Sequence, residues 1–393
     1  MMTVKWNIHS LRQLSVLMVV IFSAGLAFGQ FQRNPIVSPE IGNDNKVTFR
    51  ILAPKAEEVR LTGNWMPFMQ SEPMMKGDTG LWTVTVGPLE PELYGYSFLV
   101  DGVNTLDPSN KSIWRDGTFR VESILFVRGP GAKLYEPMTG PKGTLHKVWY
   151  ASPTLDLTRR MYVYTPPGYE DSQDNYPVLY LLHGGGGDED AWTTLGVAPT
   201  IMDNLINAGQ AKPMIVVMTN GNPDQAAAFT DSPVLANPSQ GGVGMANMKF
   251  EKSLVNDVIP YIEKHYRVKT GKSNRALTGL SMGGLQTQNT TFTNPDLFDY
   301  IGVMSMGFAD LSRFGIKTDD SQRAEQIAAL KAAHPKLYWI AVGKDDFLYE
   351  SVVTMRKTLD EAGFPYEYRE STGGHTWTNW RIYLSEFAPR LFK

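Results

Sequence analysis

The sequence predicts two folded regions in series: a small all-β, immunoglobulin-like sandwich, then a doubly wound, mostly parallel α/β sheet. Residues 38–127 alternate short strand segments with turn clusters and show no helical period. From residue 147 near-continuous apolar segments alternate with helical stretches, the pattern of a parallel sheet covered on both faces. Between them, residues 129–145 are rich in Gly and Pro. A chain of 393 residues suits such a division, since domains usually run to about 100–200 residues.

The first element is a leader. Lys5 and Arg12 precede an almost wholly apolar stretch at 14–28, and Ala27-Phe28-Gly29 places small residues before a cut at Gln30. A signal peptide over residues 1–29 is expected, because the apolar stretch of about 15 residues falls short of the roughly 20 that span a bilayer. The expected product is secreted or periplasmic in a bacterium, with no membrane association after cleavage. Composition narrows its chemistry. There are no cysteines, which excludes disulfides, thiolate nucleophiles and sulfur-bound zinc. The net charge is −3 and no long like-charge run occurs, so nucleic acid is not an expected partner.

The sandwich is expected over residues 30–128, with strands at 47–52, 58–63, 81–86, 93–100 and 119–127. Trp65, Phe68 and Trp82 lie there and offer flat rings on which a sugar can stack. Residues 129–145 read as a linker. The α/β domain then fills 146–393, with strands at 147–152, 159–165, 177–183, 213–219, 275–280, 300–306, 337–342 and 366–371. Helices fall between them at 191–208, 250–266, 283–292, 321–333, 349–363 and 377–391. The aperiodic stretch 221–249 is far longer than an ordinary loop, and long loops tend to be functional.

Gly279-Leu280-Ser281-Met282-Gly283 fits G-x-S-x-G between an apolar strand and a helix. The glycines permit a tight turn that lifts the Ser281 hydroxyl above the sheet, over a helix N-terminus. A serine nucleophile needs a base. His9 falls in the leader, His146 at the linker, His183 at a strand end, and His265 and His334 at helix ends. His375 remains, in the glycine-flanked loop Thr372-Gly373-Gly374-His375-Thr376-Trp377. The orienting acid should follow a strand between serine and histidine, and both Asp345 and Asp346 follow 337–342 directly; the other of the two would cap the next helix. The chain order serine, aspartate, histidine is that of α/β-hydrolases. His183 followed by Gly184 to Gly187 presents bare backbone N–H groups for an oxyanion, with the N–H of Met282 as second donor. This chemistry requires no metal or cofactor.

The segments LLHGGGGDEDAW (181–192), FEKSLVNDVIPYIEKHYRV (250–268), LTGLSMGG (277–284), GKDDFLYE (343–350) and GGHTWTNW (373–380) resemble the esterase-D-type hydrolases of carbohydrate esterase family 1, which include feruloyl and acetylxylan esterases. The resemblance covers about residues 145–393. It implies Asp346 rather than Asp345 as the acid and Gly185 as the first oxyanion donor. Residues 47–65, 94–102 and 107–110 resemble the early-set sandwich of carbohydrate-binding module family 48.

The expectation is therefore a serine esterase that releases ferulate or a related hydroxycinnamate from plant cell-wall xylan, with Trp377 and Trp380 beside the base forming a slot for an aromatic acyl group. Three other readings compete: an acetylxylan esterase, a siderophore trilactone esterase, and a glycan-binding protein with a vestigial hydrolase domain. The expected partner is feruloylated or acetylated xylan or its oligosaccharides.

Overall fold

The computed structural model describes residues 35–67, 69–116, 120–228, 247–308 and 320–393. The expected leader, Phe68 and most of the long 221–249 stretch lie outside these residues. Among the described residues no helix is long and apolar enough to cross a membrane.

Among the described residues the N-terminal region holds ten strands: β1 (Glu40–Ile41), β2 (Val47–Leu52), β3 (Val59–Gly63), β4 (Glu72–Pro73), β5 (Met75–Lys76), β6 (Leu81–Val86), β7 (Leu93–Val100), β8 (Val103–Thr105), β9 (Ile113–Asp116) and β10 (Arg120–Phe126). They form a four-stranded sheet, β1-β2-β6-β5, and a six-stranded one, β4-β3-β7-β10-β9 with β8 on β7. The strands alternate their faces. Val47, Phe49 and Ile51 of β2 point inward and meet Val59, Leu61, Tyr96, Phe98 and Leu125 in a common core.

That alternation corrects one expectation. Ile51 pairs with Trp82 across β2 and β6, and facing residues share a side of the sheet. Trp82 is only 6% exposed, and its indole N–H donates to Ala53 O at 2.9 Å, so it is a core residue and not a sugar platform. Trp65 is half-buried, stacked on Phe49 at 5.8 Å and edge-on to Tyr94 at 5.6 Å, so it too packs on this core.

The span 129–145 is not a loose linker. Pro130–Tyr135 forms a 3-10 helix with Ala132 and Tyr135 buried, favoured because proline at the start of a helix is already set to helical φ. The Asn204 amide donates to Leu134 O and Glu136 O, both at 2.9 Å, and holds the segment against the next region.

That region is one eight-stranded sheet in the order β11-β12-β14-β13-β15-β16-β17-β18. The strands are β11 (Thr144–Ser152), β12 (Leu157–Thr165), β13 (Val178–Leu182), β14 (Ile215–Thr219), β15 (Arg275–Leu280), β16 (Tyr300–Met304), β17 (Leu337–Gly343) and β18 (Glu367–Ser371). β12 runs antiparallel to both neighbours, and all pairs from β14 to β18 are parallel. This is the α/β-hydrolase sheet.

The helices are α1 (Ala191–Thr194), α2 (Ala198–Asn207), α3 (Lys249–Ser253), α4 (Ile259–His265), α5 (Met282–Thr293), α6 (Asp320–Ala332), α7 (Tyr349–Glu361) and α8 (Trp377–Phe387). The expected helix at 191–208 is broken at Val197, where φ is 43°. The one at 250–266 passes through a π turn, Leu254–Val258, just before Pro260, which has no N–H to donate. On one face Leu179 and Leu181 pack with Ile201, Met202, Tyr383 and Phe387 of α2 and α8. On the other, Tyr180 and Leu182 pack with Phe250, Ile262, Leu330 and Met355.

The first of these cores also takes in Leu93, Trp114, Ala132 and Tyr135, so it continues into the N-terminal strands. Arg381 of α8 is fully buried at this junction, donating to Leu195 O at 2.6 Å, Glu92 Oε1 at 2.9 Å and Leu93 O at 3.0 Å. Arg115 of β9 reaches the other way, to both carboxylate oxygens of Asp188 at 2.7 and 2.6 Å.

Candidate active site

Ser281 stands between β15 and α5, at φ 51° and ψ −118°, a backbone conformation that a residue with a side chain adopts only when its surroundings enforce it. Its N–H is held by Met304 O at 2.9 Å, and its carbonyl accepts from Leu285 N–H at 3.0 Å. The turn needs its glycines. A Cβ on Gly279 would lie 2.4 Å from the Gly283 carbonyl, so strand and helix approach too closely for any side chain there. The Met282 N–H belongs to the first turn of α5, whose amides have no partner within the helix.

The turn after β17 carries the two aspartates, and the structure separates them. Asp345 is exposed. Asp346 is 4% exposed, and its carboxylate meets His375 Nδ1 at 2.9 and 3.0 Å while accepting the Leu348 N–H at 2.9 Å. Neither caps α7, whose N-cap residue is Leu348 with no side-chain cap bond.

His375 follows β18 in a loop braced by Asn379, whose amide donates to Thr372 O at 3.2 Å and Gly374 O at 2.9 Å. Its ring rests edge-on against Trp380, with centroids 4.9 Å apart. Trp380 is itself buried, its indole N–H donating to Ser305 Oγ at 3.0 Å, and it packs at 5.2 Å against the half-buried Trp377. Trp380 thus supports the imidazole more than it offers an open face.

The glycine run follows β13. Gly187 N–H closes a turn onto Gly184 O at 3.2 Å, leaving Gly185 at its exposed tip. His183, which precedes it, is fully buried: Nδ1–H donates to Gly184 O at 2.7 Å and Nε2 accepts the Gly221 N–H at 2.7 Å. Burial pushes its pKa down to about 4, so the ring is neutral and serves as a bracket between two loops.

These parts meet in a cavity of about 520 Å³ lined by Ser281, His375, Gly185, Trp377, Trp380 and Leu280. Sequence reasoning missed one wall altogether. Asn64, in the turn after β3, Trp114 of β9 and Glu122 of β10 line the same cavity. No local signal marks them, because only the docking of the N-terminal region onto the hydrolase region brings them there. Trp65, by contrast, is not among the lining residues, and Phe68 lies outside the described residues.

A serine on a strained strand-to-helix turn, a carboxylate-bound imidazole and a bare glycine loop on this sheet are the arrangement of an esterase-type α/β-hydrolase. The chain belongs to the Esterase family, whose model matches residues 152–391. It is 32% identical over 364 residues to an endo-1,4-beta-xylanase/feruloyl esterase of Xylanibacter ruminicola, an alignment covering 90% of this chain and 46% of that protein. The chain therefore spans about half the length of that relative. A solved ferulic acid esterase is similar at 26% identity with a TM-score of 0.51, covering 63% of this chain and 98% of its own. The enterobactin esterase of Shigella flexneri shares the fold at 16% identity, with a TM-score of 0.63 over 90% of this chain and 95% of its own.

Proposed function

We propose that the protein is an exported serine esterase that releases ferulate or a related hydroxycinnamate from plant cell-wall xylan. The observation that carries this is the meeting of Ser281 and the Asp346–His375 pair in one cavity walled by Trp377. In this mechanism His375 takes the proton of Ser281 Oγ as it attacks the ester carbonyl. The Gly185 and Met282 N–H groups receive the oxyanion, and the imidazolium returns the proton to the departing sugar oxygen. Water, deprotonated by His375, then releases the acid from the acyl-enzyme. Asp346 holds the imidazole in the tautomer with its proton on Nδ1.

The similarity to a xylanase/feruloyl esterase supports the acyl group, and the aromatic walls suit a planar one. The trilactone reading is weaker. Among the described residues lining the cavity there is no Lys or Arg to receive an anionic ferric catecholate, whereas a neutral ester needs none.

Turnover of methyl ferulate, methyl coumarate, acetylated xylan and a catecholate trilactone, each with wild type and Ser281→Ala, tests this. Ferulate and coumarate should be preferred, and all hydrolysis should vanish in the variant. Preference for acetate or the trilactone overturns the acyl assignment, and full activity of Ser281→Ala overturns the mechanism.

A further inference from the structure

Resting on that reading, we propose that the N-terminal strands supply a hydroxyl-recognising wall of the catalytic cavity, with Glu122 as its specificity-determining residue, held by Trp114 and set beside Asn64. Glu122 of β10 pairs directly with Trp114 of β9, and both are 4% exposed. The indole Nε1–H donates to Glu122 Oε2 at 3.1 Å, which fixes the direction of the carboxylate. Their packing is built around Gly95 on the neighbouring β7. A Cβ at Gly95 would stand 2.3 Å from Glu122 Oε2 and 2.8 Å from Trp114 Nε1. The Gly95 N–H in turn donates to Asn64 Oδ1 at 3.2 Å, placing the third member at the same point. All three side chains line the cavity that holds Ser281 and His375.

Chemistry decides what this wall would take. A carboxylate is an acceptor only, with about four lone-pair sites. The rest of the lining is dominated by glycine, threonine, apolar and indole groups, so Glu122 is the strongest acceptor on the wall facing a bound ester. A neutral hydroxyl is the matching donor, and a hydrogen bond to an ionised acceptor is about twice as strong as a neutral one. Two hydroxyl sources exist in one substrate: the phenol of the acyl group and the sugar hydroxyls of the leaving alcohol.

The test compares kcat/KM for wild type, Glu122→Gln and Trp114→Phe on methyl cinnamate, methyl ferulate and feruloyl arabinofuranose. Glu122→Gln keeps the side-chain shape and an acceptor for Trp114. It should lower kcat/KM by about 10–100-fold for the esters whose hydroxyl is recognised and leave methyl cinnamate unchanged. If the loss already separates ferulate from cinnamate, the phenol is the partner; if it appears only with the arabinosyl ester, the sugar is. Trp114→Phe, which leaves the carboxylate unoriented, should show the same selectivity loss in weaker form. An equal loss on all three esters, or unchanged ratios among them, overturns the proposal. Calorimetric binding of the same esters to Ser281→Ala reads the ratio without turnover. A selective loss there, with no hydrolysis by wild type, would sink the esterase mechanism and leave this wall standing.

Discussion

His183 and His375 each belong to a glycine-bearing loop at the C-terminal end of a parallel strand, and both loops line one cavity, yet the fold treats the two rings in opposite ways. His183 is 1% exposed, with both ring nitrogens engaged by backbone and its pKa pushed down to about 4 by burial. His375 keeps 17% of its side chain exposed, with Nδ1 on the buried Asp346 carboxylate. A base must exchange protons with its surroundings, while a bracket must not. In the proposed mechanism the ends of β13 and β18 divide labour: one histidine shapes the backbone donors and the other handles the proton.

The comparison breaks first at His375. His375→Ala should lower kcat by about 10⁴-fold or more with little change in melting temperature, since the ring contributes chemistry more than packing. A loss under tenfold would remove His375 from the mechanism. Asp346→Asn should follow, at about 10³–10⁴-fold, because the amide favours the wrong imidazole tautomer. Comparable loss in Asp345→Asn would show that the exposed neighbour has been misjudged.

His183 tests the other half. Unfolded, it takes up a proton near 6.5; folded, it resists down to about 4. The unfolded state thus binds more protons in that window, and stability falls as the pH drops through it, by about 3 kcal/mol in all. His183→Gln should therefore flatten the denaturant stability curve between pH 6.5 and 4 relative to wild type, and it should leave no change in slope above 7. Parallel curves for the two proteins would refute the buried neutral ring.

How much of this could be read from residue letters follows the range of the forces involved. The elbow at Ser281 was legible because its requirement is local: glycines at 279 and 283 let strand and helix close on each other. The mostly parallel character of the eight-stranded sheet follows from strand and helix alternation, whereas the placing of β14 outside β13 does not. The choice between Asp345 and Asp346 was open to spacing and came only from family resemblance, since a single turn after β17 decides which carboxylate points inward. Trp82 was misread as a platform although its pairing with Ile51 follows from two-residue alternation. Asn64, Trp114 and Glu122 were invisible, because a residue on a sandwich strand becomes a cavity wall only through the packing of one region on another.

That packing is held by two arginines, Arg115 half-buried and Arg381 fully buried, which extend the histidine comparison. Beyond the His183 loop, Asp188 is gripped by Arg115 from the N-terminal strands; beyond the His375 loop, Arg381 grips Glu92 within them. Burial pushes the Asp188 carboxyl up despite the opposing pull of Arg115. Arg115→Met should therefore leave a desolvated carboxylate directly after the glycine turn, and Asp188→Asn should relieve part of that cost. In a double-mutant cycle read by denaturant unfolding, the pair should couple by about 1–3 kcal/mol, the smallest effect predicted and the one most specific to the junction. If the anchor also positions the Gly185 donor, kcat should fall with Arg115→Met while KM for methyl ferulate changes little. Strict additivity would mean that the two regions merely touch at Arg115, and that the glycine loop owes its position to His183 alone.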